Sequence, residues 1–219
     1  MKMHAQHSVF IPSGTVELEG ELILPHETSG VVLFAHGSGS SRHSPRNQYV
    51  ARTIREAGIG TLLFDLLTKE EERIDLVTRH LRFDIHLLAK RLLDATQWLA
   101  NLPDTREFQV GYFGASTGGG AALVAAAELG DRVGAVVSRG GRPDLAGDAL
   151  TRVKSPTLLI VGGLDDVVIE LNETAYRQLQ CEKELQIVPG ATHLFEEPGT
   201  LEAVAHLAAA WFKKYLSTK

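Results

Sequence analysis

With a single cysteine, Cys181, the sequence cannot form an internal disulfide, and its neighbours Gln180, Glu182 and Glu184 would raise that thiol's pKa, so it reads as structural. No uncharged apolar stretch approaches the roughly 20 residues that span a bilayer, and Met1–Gln6 lacks the apolar core of an export signal. The expectation is a cytoplasmic protein. Basic residues are not in excess: 22 Lys and Arg stand against 27 Asp and Glu for a net charge of −5, which leaves no electrostatic footprint for nucleic acid or an anionic membrane. There is no G-x-x-x-x-G-K-[ST] loop, no H-E-x-x-H helix and no cysteine pair, so nucleotide-triphosphate hydrolysis and zinc sites lack their usual groups. Gly111-x-x-Gly114 and Gly118-Gly119-Gly120 fall too late in their unit, without a following acidic ribose ligand, for a dinucleotide site. Repeats, linkers and low-complexity segments are missing too, and 219 residues that are 44% hydrophobic suit one domain over residues 1–219.

What is present alternates. Val9–Ile11 and Val16–Leu24 read as an antiparallel edge hairpin joined by a Pro-Ser-Gly turn, and Val31–Ala35 is a continuous apolar run of the kind buried on both faces of a parallel sheet. The pattern predicts a helix over Pro45–Glu56, closed by Gly58, and a strand over Ile59–Phe64. Lys69–His80 is strongly charged and reads as a surface loop or short helix. An amphipathic helix follows over Phe83–Leu99, with Ile85, Leu88, Leu92, Ala95 and Leu99 at helical spacing. Strands at Phe108–Phe113, Val133–Val137, Thr157–Val161 and Leu185–Val188 then alternate with helices at Gly119–Leu129, Leu145–Leu150, Glu170–Leu179 and Leu201–Tyr215. This order predicts the α/β class, a mostly parallel sheet flanked by helices.

In such sheets the reactive groups stand just beyond the carboxyl ends of strands. Gly114-Ala115-Ser116-Thr117-Gly118 is a G-x-S-x-G turn between a strand and an alanine-rich helix, the context of a nucleophile elbow. Later strand ends bring Asp165, with Asp166 as the alternative, and then His193, giving the order Ser, Asp, His expected with that turn. A serine hydroxyl is a poor nucleophile at neutral pH. An imidazole, His193, is needed to take its proton, and a carboxylate, Asp165, to fix the imidazole's tautomer. Backbone N–H groups of Ser38, in the loop after the third strand, and of Thr117 are the candidate oxyanion donors.

Four segments carry a resemblance over nearly the whole chain: His36-Gly37-Ser38-Gly39, Gly114-Ala115-Ser116-Thr117-Gly118-Gly119, Gly162-Gly163-Leu164-Asp165-Asp166-Val167-Val168 and Gly190-Ala191-Thr192-His193-Leu194-Phe195. The sequence resembles the α/β-hydrolases of the dienelactone hydrolase-like group. The resemblance implies an eight-stranded, mostly parallel sheet without a cap domain, no cofactor and no metal, and hydrolysis of esters, lactones or thioesters through an acyl-enzyme. Dienelactone hydrolases themselves carry cysteine where Ser116 stands, so the likeness is to a serine carboxylesterase. The expected partner is a small-molecule ester, with no nucleic acid and no membrane, and the expected state is a monomer or small homo-oligomer. A non-catalytic binding module on the same fold, and an acyltransferase or perhydrolase using the same three residues, are the alternatives.

Arg139 and Arg142 follow the sixth strand, and Arg42 and Arg46 flank the His36–Gly39 loop. With His36, Arg139 and Arg142 are candidates for touching substrate, and an anionic substrate group would suit the arginines. The alternative is that these cations cap helices or pair with acids such as Asp144 and Asp65. No long insertion follows the sixth strand, which predicts an uncovered pocket.

Overall fold

In the computed structural model the described residues are 5–217, so residues 1–4, most of the segment read for an export signal, lie outside them. The chain opens with an antiparallel hairpin of β1 (Ala5–Ser13) and β2 (Val16–Leu24). Ser13 pairs with Val16, so the turn is Gly14-Thr15, with Gly14 at φ 63°, and Pro12 belongs to the edge strand rather than to the turn. Then come β3 (Gly30–Ala35), α1 (Pro45–Glu56), β4 (Gly60–Phe64), α2 (Lys69–Thr78), α3 (Ile85–Asn101), β5 (Gln109–Ala115), α4 (Thr117–Leu129), β6 (Val133–Arg139), β7 (Thr157–Gly162), α5 (Asp166–Gln178), β8 (Lys183–Val188) and α6 (Thr200–Leu216).

The sheet has eight strands in the order β1-β2-β4-β3-β5-β6-β7-β8, and every pairing from β4 to β8 is parallel. Only β2 runs against the rest. From β3 the chain builds outward first to one side, through β4, and then to the other, from β5 to β8. The gap between the loops after β3 and β5 is therefore the topological switch point, where ligands bind in open α/β sheets. β3, β4 and β7 are buried throughout, as their unbroken apolar runs require. One face packs on α3 and α4 and the other on α1 and α6. Tyr112, fully buried, keeps its hydroxyl satisfied by Thr96 Oγ1 at 2.6 Å. Among the described residues no helix is long and apolar enough to cross a membrane.

The structure decides between the two readings of one element and differs from the sequence reading at two others. The charged stretch after β4 is a regular helix, α2, started by a reciprocal cap: the Glu71 N–H donates to Thr68 Oγ1 (3.1 Å) and the Thr68 N–H to Glu71 Oε2 (2.8 Å). β6 continues through Ser138 and Arg139, because Arg139 pairs in register with Ala115 and Ile160. Between β6 and β7, Pro143–Arg152 forms 3-10 turns broken at Gly147, not an α-helix over Leu145–Leu150.

Candidate active site

Ser116 sits between β5 and α4 with φ 50° and ψ −122°, a conformation a side-chain-bearing residue adopts only under constraint. The constraint is visible. Its N–H donates to the Arg139 carbonyl (3.3 Å), while its own carbonyl accepts from Gly119 (3.0 Å) and Arg142 (3.0 Å). A methyl group at Gly118 would lie 2.0 Å from the Ala35 carbonyl oxygen, so that position must be glycine for the turn to close against β3. A serine at a helix N-cap ordinarily spends its hydroxyl on the cap. Here it makes no capping bond, and it bonds nothing else among the described residues.

His193 lies in the loop after β8, and its Nδ1 is 2.6 Å from Asp165 Oδ2. Asp165 ends the turn after β7, with its carboxylate largely shielded (16% exposed) and the imidazole more open (39%). The pair therefore has a carboxylate fixing one ring nitrogen while Nε2 stays uncommitted. Asp166 is exposed in the first turn of α5, leaving Asp165 as the partner. The end of β6 joins this pair to the turn: the Arg139 carbonyl holds the Ser116 amide, and a methyl group on the next residue, Gly140, would lie 3.5 Å from His193 Cε1 and Nδ1.

The loop after β3 comes close to the same turn. A methyl group at Gly37 would lie 3.0 Å from Ser116 Cβ, and Ser38 Oγ is 3.3 Å from Thr117 Oγ1. Neither the Ser38 nor the Thr117 N–H donates a hydrogen bond among the described residues. Beside them opens a cavity of about 650 Å³, whose walls include Gly37, Ser38, Ser40, Ser44, Arg46 and Thr117 on one side and Glu72, Leu76 and Arg82 on the other. Its lining reaches Thr117 and stops short of Ser116 and His193. Among the described residues no cluster of three or more His, Cys, Asp or Glu is gathered for a metal.

The sequence model of the dienelactone hydrolase family matches residues 18–218. This chain belongs to the dienelactone hydrolase family. Among solved structures, the dienelactone hydrolase from Anabaena variabilis is 64% identical with a TM-score of 0.95, covering 97% of this chain and 99% of that one. An esterase of Pyrococcus furiosus shares the fold at 17% identity (TM-score 0.79; 98% of this chain, 94% of that one). Two Mycobacterium tuberculosis proteins, from strains CDC 1551 and H37Rv, are 61% identical over 208 residues and are named, provisionally, phosphoribosyl transferases. The match takes in 95% of this chain but 46% of theirs, so the chain spans about half the length of those curated relatives. Family and fold together support hydrolase activity.

In this dienelactone hydrolase-family chain, the structure corrects two of the proposed substrate contacts. His36 touches the cavity wall, but both ring nitrogens are spent: the Leu66 N–H donates to Nε2 (3.0 Å), leaving the proton on Nδ1, which faces the Gly37 carbonyl (3.1 Å). Burial holds its pKa below the ordinary histidine value. It ties the loop after β3 to the loop after β4. Arg142 is gripped by both oxygens of Asp144 (2.8 and 2.7 Å), an ion pair that raises its pKa. Arg42 likewise belongs to Asp65 and Glu19. Arg46 lines the cavity, with the exposed Glu196 at 3.3 Å, and Arg139 is buried over the Phe195 ring, whose centre is 5.7 Å from the guanidinium carbon.

Two contributors escaped the sequence reading. α2 and the 3-10 turn at Leu81–Phe83 wall the cavity from the β4–α3 connection, so the pocket has a partial cover that comes from there and not from an insertion after β6; Thr68-x-x-Glu71 was the available signal. Asn172, fully buried, donates to the Gly141 carbonyl (3.0 Å) and so braces the segment that touches both Ser116 and His193. Its signal was an amide in the buried Val168, Asn172, Ala175 stripe of α5.

The neutral His36 predicts a pH dependence. Its folded pKa lies below its unfolded one, so as pH falls below about 6.5 the unfolded chain takes up a proton that the folded chain refuses, and stability is lost with acidification. Melting temperatures measured from pH 8 to pH 5 should fall more steeply for the native chain than for His36→Gln. Equal slopes would contradict the assignment.

Proposed function

We propose that this chain is a serine hydrolase of carboxylic esters, lactones or thioesters of small acids. In this reading Ser116 Oγ attacks the carbonyl carbon while His193 Nε2 takes the hydroxyl proton. Asp165, bonded to Nδ1, keeps that nitrogen protonated and stabilises the imidazolium. The negative charge on the former carbonyl oxygen is met by the N–H groups of Ser38 and Thr117. The C–O or C–S bond then breaks, the leaving group takes the proton from His193, and water, activated by the same imidazole, releases the acid and restores Ser116. The observation that carries the reading is the 2.6 Å His193–Asp165 bond at the same sheet edge as a strained serine with an unused hydroxyl.

A fluorophosphonate probe should label Ser116, as located by peptide mass spectrometry. Labelling should vanish in Ser116→Ala and be nearly lost in His193→Ala. With 4-nitrophenyl acetate, kcat should fall by about 10⁶-fold in either variant and by about 10⁴-fold in Asp165→Asn. A folded native chain that stays unlabelled would instead be a binding module.

The Ser38, Ser40, Ser41, Ser44 and Arg46 wall of the cavity is polar, which favours short or hydrophilic acyl groups over long lipids. 4-Nitrophenyl acetate and butyrate should be cleaved with higher kcat/KM than the decanoate or palmitate, and the reverse order would sink this argument.

The phosphoribosyl transferase name borne by the mycobacterial relatives covers chains about twice as long, and we assign hydrolase chemistry to the half that resembles this one. Incubation of this chain with 5-phosphoribosyl pyrophosphate and purine or pyrimidine bases should yield no nucleotide by chromatography. Nucleotide formation abolished by Ser116→Ala would overturn that assignment.

A further inference from the structure

Five side-chain polar atoms are buried without a hydrogen-bond partner among the described residues, and two of them, Ser138 Oγ and Asn172 Oδ1, belong to residues in contact with Gly141. Asn172 is fully buried in α5 and spends its amide hydrogens on the Gly141 carbonyl (3.0 Å) and the Val168 carbonyl (2.8 Å). The Val168 carbonyl, four residues back in the same helix, is in any case the acceptor for the Asn172 backbone N–H. The Gly141 carbonyl has no other donor among the described residues, and the Gly141 N–H has no acceptor among them. Its neighbours are held by backbone, Gly140 through the Ile160 carbonyl (2.7 Å) and Arg142 through the Ser116 carbonyl (3.0 Å). Asn172 is thus the polar tether of Gly141. Its own unsatisfied oxygen is a cost that an apolar side chain of the same volume would not carry, so the amide is explained by what it holds.

Gly141 lies inside the strap that runs from Arg139 to Arg142. One end accepts the Ser116 N–H on the Arg139 carbonyl (3.3 Å), and the other donates the Arg142 N–H to the Ser116 carbonyl. Between them Gly140 comes against the His193 ring. The strap is pressed onto the end of β6, where a methyl group on Gly141 would fall 1.8 Å from Ser138 Oγ. α5 meets the site a second time. Asp165 is its N-cap residue and makes no capping bond, because its carboxylate is given to His193 (2.6 Å). Asn172 follows about two turns later, on the same side of the helix. One rigid element therefore carries the acid at its start and, two turns on, the tether of the strap that sets the serine. The cavity lining includes no residue of α5 or of the strap.

We propose that Asn172 is a positioning residue for hydrolysis at Ser116: acting through Gly141, it fixes the Ser116 backbone and its bearing on His193, so that α5 sets the acid and the nucleophile turn against each other. Its part in the reaction rests on the hydrolase reading above; the tether on the turn does not. Without the amide, Gly141 is released and the two backbone bonds that the strap makes to Ser116 lose their fixed origin. The φ of 50° persists only while its surroundings over-determine it, and relaxes toward an ordinary N-cap with the hydroxyl turned onto the α4 amides. Because the cavity wall is untouched, the loss falls on the chemical step and not on substrate binding.

The test is Asn172→Leu, of nearly the same volume but without donors. Amide hydrogen exchange by NMR should quicken by about tenfold or more at Ser116 and Arg142, the loss of one hydrogen bond's net contribution, and not at Leu123 in α4 or Leu159 in β7. With 4-nitrophenyl acetate, well below the melting temperature of the variant, kcat should fall on the order of 10- to 100-fold with KM within about twofold of native. The downfield Nδ1 proton of His193, which reports the bond to Asp165, should persist. An asparagine that only stabilises the fold would lower the melting temperature and leave kcat of the folded chain as it was. Unchanged kcat, a fall carried by KM, or a lost His193 signal would overturn the positioning role, and unchanged exchange at Ser116 and Arg142 would overturn the tether. Asn172→Ala gives the same readouts if Asn172→Leu fails to fold. If the native chain resists fluorophosphonate labelling, the hydrolase reading fails by itself, and the exchange measurement still decides whether Asn172 holds the turn.

Discussion

The backbone of Ser116 is the constraint on which the site depends. A non-glycine residue at φ 50° costs on the order of 1–3 kcal/mol and persists only when its surroundings over-determine it. Three hydrogen bonds do so here, one from the Ser116 amide and two to its carbonyl, with partners in two stretches of chain, the Arg139–Arg142 segment and α4 itself. The return is positional. A serine with ordinary backbone angles at this N-cap would turn its hydroxyl onto the α4 amides, whereas the strained turn leaves both the hydroxyl and the Thr117 N–H unspent. Strain, a free hydroxyl and a free amide are thus consequences of one local geometry.

That geometry also explains the packing around it. β3 and β5 are adjacent and parallel, so the Gly37-Ser38 loop and the Ser116 turn leave the sheet side by side. They can approach only because Gly37 and Gly118 carry no side chain. The His36 ring then locks the first of these loops to Leu66 beyond β4, using a neutral imidazole as a buried bracket. A histidine beside a site is easily taken for a ligand-binding group. This one has no nitrogen left to offer.

Much of this was legible in the sequence because local chemistry and topology agree. Val31–Ala35 and Thr157–Val161 read as buried parallel strands, and the residues just beyond strand ends, Ser116, Asp165 and His193, converge because parallel strands share one carboxyl edge. What was not legible depends on contacts between residues distant in sequence. Arg42 and Asp65, or His36 and Leu66, meet only after β3 and β4 pair. The length of β6 was obscured for a related reason: Ser138 and Arg139 look like the polar end of a strand, yet both are buried in its ladder. The charged run of α2 left loop and short helix both open, because its charge obscures the periodicity and only the cap, Thr68 with Glu71, favours the helix.

The segment from Arg139 to Arg142 carries two roles on one short piece of chain. Its backbone serves the turn: the Arg139 carbonyl and the Arg142 N–H bracket Ser116, and Asn172 braces Gly141 between them. Its side chains diverge, Arg142 outward into a closed ion pair with Asp144 and Arg139 inward, buried without a carboxylate partner among the described residues. The two arginines, equivalent by type and three residues apart, differ because Asp144 follows Arg142 by two residues and can reach it, whereas Arg139 lies over the Phe195 ring. An acid placed beside Arg139 would remove the cost of its burial and fill its donors permanently.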